Sequence, residues 1–165
     1  NYHKSIHLIE LPDPSKPKAW AKKYNERVSM AKDELLRYTD IKRIIDKSEK
    51  SAQFNKYSLQ VMSQINELQI YPSRLLLLLS SYDESASVMD KKAIMLQIQK
   101  YVNGFGEIRK QYEKVYSQTT FLNKPDDYIL DENLDRHLAN GTKNSDWMYV
   151  YELAMNNKIN NWLSF

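Results

Sequence analysis

Cysteine is absent from the chain, which excludes disulfides and thiolate-ligated metals at the outset. Glycine occurs three times and proline five times in 165 residues. So few chain breakers leave room for few turns, and few turns in a chain of this length mean long elements, which points to helices. Long apolar runs are also missing. A bilayer-spanning helix needs roughly 20 apolar residues, whereas residues 75–79, five consecutive leucines, are closed off by Arg74 and Ser80. No membrane insertion is expected. A secretory leader pattern is absent, and the chain opens on Asn1, so any targeting signal is expected upstream, in a longer polypeptide.

Charge of one sign is likewise not concentrated. The net charge is +3, and the densest basic stretch, residues 16–56, carries 12 Lys/Arg interleaved with 6 Asp/Glu. Alternating signs mark a solvated helix face, whereas nucleic-acid binding calls for a clustered basic footprint. No nucleic-acid partner is expected. Apolar residues amount to 42% and charged residues to 27%, as in an ordinary globular domain with a core of its own.

Helical periodicity runs through most of the chain. Residues 1–16 read as an extended lead-in or linker, because Pro12, Pro14 and Pro17 bias their predecessors toward extended backbone. Ser15 is placed to cap the first helix and Pro17 to begin it. From residue 17 to 51, Trp20, Tyr24, Val28, Ala31, Leu35, Tyr38, Ile41 and Ile45 recur in steps of three and four. A second helix is predicted over residues 55–82, interrupted at Pro72, with the five leucines central because an all-apolar stretch must be covered on most sides. A third is predicted over residues 89–117 with a heptad-like stripe (Ile94, Ile98, Tyr101, Phe105, Ile108, Tyr112, Val115). Gly104 and Gly106 within it imply a local bend or a close helix–helix approach. The last helix is expected from Ser145, with Trp147, Tyr151, Met155, Ile159 and Trp162 or Leu163 inward. The expected fold is therefore all-α. It is an up-down bundle of three long helices and a shorter C-terminal one, over residues 17–165.

No catalytic constellation accompanies this pattern. Asp33-Glu34 reads as surface charge, since helix neighbours diverge by about 100°, and Asp83-Glu84 reads as part of a turn. His3 and His7 have helical metal-ligand spacing but precede the prolines without an acidic companion, so neither a metal nor a cofactor is expected. Residues 118–144 lack periodicity, and a connector of that length points to a functional loop or contact surface. There Tyr128, Asp131, Glu132, His137, Asn140, Asn144, Asp146 and Trp147 form the candidate interface or ligand-contact cluster.

Several phrases resemble a known family. Residues 6–14 (IHLIELPDP), 64–72 (QINELQIYP), 116–122 (YSQTTFL) and 133–148 (NLDRHLANGTKNSDWM) are similar to the C-terminal helical region of bacterial family 20 glycoside hydrolases, which are β-N-acetylhexosaminidase-like. The resemblance implies an upstream catalytic barrel in the same polypeptide, a carbohydrate substrate, and a periplasmic, cell-envelope or secreted location. That family acts through an adjacent Asp-Glu pair at the end of a barrel strand. None of the pairs here follows a strand, so no catalytic residue carries over and no activity is expected from this chain alone. The alternative is a free-standing helical interaction module, favoured by the heptad-like stripe.

Overall fold

In the computed structural model, residues 8–116, 118 and 150–164 are described, and every regular element among them is a helix. These are α1 (Ala19–Lys23), α2 (Asn25–Ser51), α3 (Lys56–Glu84), α4 (Val88–Asn103), α5 (Phe105–Tyr116) and α6 (Val150–Leu163). The all-α bundle expected from periodicity is the observed fold.

Helix α3 is its axis, packing against α1, α2, α4 and α5. Its contacts with α2 run in opposite chain directions: Asn66 Nδ2 donates to the Tyr38 carbonyl, and Ser73 Oγ donates to Glu34, at 3.0 Å in each case. The same holds toward α4, where Tyr71 stacks on Tyr101 and Lys91 lies over the Tyr82 ring. Helix α6 runs with α3 instead. Tyr71 Oη donates to Asn156 Oδ1 at 2.6 Å, and further along both helices Tyr82 meets Trp162 edge-on. The order up, down, up, down is thus complete.

The five leucines distribute as a fully covered segment should. Leu75, Leu76 and Leu79 have no solvent exposure, while Leu77 and Leu78 are partly buried at the edge of the same cluster. Pro72 does not end the helix, as α3 is continuous through it. The proline withholds the donor that would reach the Leu68 carbonyl, and tertiary cover over Ile70, Tyr71, Pro72 and Ser73, all buried, outweighs that loss.

Two boundaries depart from the sequence reading. The third helix is divided at Gly104, where Glu107 N–H reaches the Gly104 carbonyl in a tighter turn at 3.1 Å. The division preserves the inward phase, so Ile98, Val102, Phe105 and Tyr112 are all buried. Close helix approach is not the reason for either glycine. A Cβ at Gly104 meets only carbonyls of its own helix at 3.4 Å, and one at Gly106 meets nothing within 4 Å. Gly106→Ala should therefore stabilise the fold by about 0.5–1 kcal/mol, because alanine gives up less backbone entropy on folding. A rise in the urea midpoint at unchanged slope is the measurement that checks it.

The first helix starts later than predicted and is capped differently. Ser15 does not cap it; its N–H and hydroxyl both donate to Asp13 Oδ1, at 2.9 and 2.7 Å. The first turn forms at Ala19 behind Lys18, whose φ of 65° is left-handed. The cap comes from α3 instead: Asp83 Oδ2 accepts the Ala21 N–H at 2.8 Å, and the Asp83 carbonyl accepts the Lys18 N–H at 3.2 Å. Asp83, assigned from sequence to a turn, thus lies inside α3 and is 1% exposed.

The lead-in is docked on the bundle at Ile9 and Glu10. Ile9 is buried in the core cluster. The Glu10 carbonyl accepts from Trp20 Nε1, the Ile9 carbonyl from Lys158 Nζ at 2.7 Å, and Glu10 N–H donates to Tyr24 Oη at 3.1 Å. Strap, α1 and α6 are joined there.

Candidate functional site

The residues singled out between Tyr128 and Trp147 (Tyr128, Asp131, Glu132, His137, Asn140, Asn144, Asp146 and Trp147) lie outside the described residues, as do His3, His7 and the predicted start at Ser145. Of the two acidic pairs that are described, neither forms a site. Asp33 is exposed while its neighbour Glu34 turns inward to accept from Ser73. Asp83 serves as the cap. No group of side chains suited to hold a metal ion occurs among the described residues.

Convergent polar groups occur instead where α2, α3 and α5 meet. On α2, Lys42, Asp46 and Glu49 follow at four and three residues and share a face; on α3, Gln60, Ser63 and Gln64 lie on one face. With Gln111 and Lys114 on α5, and Gln118 just beyond it, they enclose a cleft of about 410 Å³. A neighbouring hollow of about 470 Å³ shares Asp46, Glu49 and Gln60 and extends toward the α2–α3 turn. Sequence reading missed this site because each stripe alone has the spacing and polarity of a solvated helix face.

Within the cleft, Lys42 Nζ binds Ser63 Oγ at 2.9 Å and Asp46 Oδ1 at 3.1 Å, with Glu67 Oε1 at 3.6 Å. Gln60 Nε2 donates to Glu49 at 3.1 Å, and Gln111 Nε2 to Glu107 at 2.7 Å. The half-buried amide of Gln64 has no hydrogen-bond partner among the described residues. The lining charges balance, Lys42 and Lys114 against Asp46 and Glu49. Among the described residues nothing here activates a nucleophile: Ser63 faces an ammonium rather than a base, and none of the described lining residues is a histidine.

Further along α3, the Tyr71 ring lies 4.7 Å from that of Tyr101 and 4.8 Å from that of Phe105, with the Arg74 guanidinium over Tyr101. Burial pushes the Tyr101 hydroxyl up to about 12, with Glu67 adding to the rise and Arg74 opposing it. For a tyrosine, a raised value means that the folded state holds its proton where the unfolded state has released it. Stability is therefore untouched below pH 10 and should fall as pH rises from about 10 through 12. The difference titration at 295 nm between the natural chain and Tyr101→Phe should show one phenol ionising near 12.

No protein-family model, curated protein or solved structure matches this chain. Among the described residues no helix is long and apolar enough to cross a membrane.

Proposed function

We propose that this chain is a non-catalytic helical domain of a β-N-acetylhexosaminidase-like glycoside hydrolase, packed on or rimming the catalytic barrel of the same polypeptide. The likeness of residues 6–14, 64–72, 116–122 and 133–148 to the C-terminal region of that family supports the reading. The observation that carries it structurally is an apolar flank that the bundle leaves uncovered. Met30, Ile41 and Ile44 follow at eleven and three residues, one side of α2, and all three are exposed. Met62 on α3 and Phe54 in the intervening turn of the same hairpin are also exposed, at 56% and 85%. Large apolar groups gathered in this way mark a protein contact rather than a solvent boundary.

The free-standing module drew its support from the heptad-like stripe of the third helix. Much of that stripe is turned into the chain's own core, with Ile98, Phe105 and Tyr112 buried and Ile94, Tyr101 and Ile108 partly so, which favours the first reading. An envelope, periplasmic or secreted location belongs to the hydrolase reading and rests on the same sequence likeness.

Two measurements test the proposal. The chain expressed alone should not turn over 4-nitrophenyl N-acetylglucosaminide, and turnover would sink the idea. The coding sequence ahead of Asn1 should encode a barrel with an adjacent Asp-Glu pair at a strand end; an unrelated upstream sequence counts against it. The double substitution Ile41→Asp with Ile44→Asp should cost the isolated chain little, within about 0.5 kcal/mol per surface site. The same change should release the domain from the barrel when the parent polypeptide is nicked between them.

A further inference from the structure

We infer that the cleft between α2, α3 and α5 is a binding site for an uncharged, polyhydroxylated ligand of about the size of a disaccharide. This holds whichever domain the bundle is attached to, since it rests on different residues from the apolar flank. Size comes first: a cleft of about 410 Å³ lies within the range of small-molecule pockets. The lining then selects the chemistry. Two ammonium groups face two carboxylates, so neither an anion nor a cation gains net charge stabilisation on entering. A sugar hydroxyl both donates and accepts, and the glutamine amides of Gln60, Gln64, Gln111 and Gln118 each present a donor and an acceptor side by side. Among the described lining residues Val115 is the one apolar side chain, so the walls that are described suit hydroxyl groups better than the apolar side chains of a peptide.

A second observation points the same way. Most polar groups of the cleft are already engaged: Lys42 with Ser63 and Asp46, Gln60 with Glu49, Gln111 with Glu107. Gln64 is half-buried on the α3 wall and its amide has no partner among the described residues. The engaged groups hold the walls in place, so the site is organised before a ligand arrives. Their remaining lone pairs and N–H groups, with the whole of the Gln64 amide, are what a ligand would meet. No aromatic ring occurs among the described lining residues, and hydrogen bonds from these alone should give an affinity in the millimolar range, near 4 kcal/mol.

The experiment is a titration of the isotope-labelled chain, as it stands, with cellobiose, maltose and N,N′-diacetylchitobiose, following the glutamine side-chain NH₂ resonances. Glucosamine and glucose 6-phosphate serve as the charged comparisons. Saturable shifts confined to the amides of Gln60, Gln64 and Gln111, with a neutral disaccharide binding more tightly than either charged sugar, are the expected result. Gln64→Leu should weaken that binding about tenfold, one charge-neutral hydrogen-bonding group removed, while leaving the melting temperature in place, because Gln64 holds no other described residue. The inference is overturned by the absence of saturable shifts with all three disaccharides, by tighter binding of either charged sugar, or by undiminished binding to Gln64→Leu.

Discussion

Leu76→Ala should cost this protein about 2–5 kcal/mol, the range for emptying a fully buried leucine site whose surroundings cannot collapse. In a chain of this size that is a fall in melting temperature on the order of 10 °C. Leu76 is fully enclosed, as are Leu75 and Leu79, and α3 has neighbours on every side that could not all move in at once. The contrast within the run is the sharper test. Leu77 and Leu78 are partly buried at the edge of the cluster, so truncating either removes contacts that water can partly replace. Urea denaturation of the five single alanine variants should rank positions 75, 76 and 79 together, well below 77 and 78. An even loss across all five would mean that α3 rotates or frays around the run, and that it is not the axis of the bundle.

The run itself illustrates what was legible in advance. A helix segment apolar on all sides has no alternative to being surrounded, and that inference needs no knowledge of the neighbours. The stripes of α2, α4 and α5 were readable for the same reason, since burial of one face imposes a period on the sequence. Boundaries were less so. Gly104 and Gly106 are equal in propensity, yet only Gly104 takes the break, a choice made by the inward phase of Ile98 and Phe105 on either side of it.

Features that depend on two distant segments left no local trace. In the cleft, Lys42 and Ser63 are ordinary polar residues at ordinary surface spacing until the α2–α3 hairpin brings them to 2.9 Å. The apolar flank was misread in part for the converse reason. Ile41 fits the inward period of its helix, and yet it and Ile44 are exposed, because α3 takes up the other side of α2. Periodicity reports that a face is apolar; it does not report whether this chain supplies the cover.

The clearest case is Asp83, and Asp83→Ala should cost about 3 kcal/mol, the upper end for a hydrogen bond to a charged group when its buried partner is left unpaired. A five-residue helix has no stability of its own, because the first turn fixes several residues for a single hydrogen bond. Helix α1 exists because a carboxylate 62 residues away takes the Ala21 N–H and the Asp83 carbonyl takes that of Lys18. Removing the side chain leaves the Ala21 N–H buried, and alanine has nothing to offer it. The consequence should spread along the strap: Trp20 sits on α1, is buried in the core, and donates to the Glu10 carbonyl, so losing the cap should free both. Hydrogen exchange at Ala21 and Lys22 should quicken well beyond the global change, and Trp20 emission should shift to the red. Asp83→Asn keeps an acceptor at the same place and should recover most of the loss. If asparagine and alanine proved equally costly, the carboxylate's charge would be the stabilising quantity, and the trans-helix cap would not account for why this acid is buried.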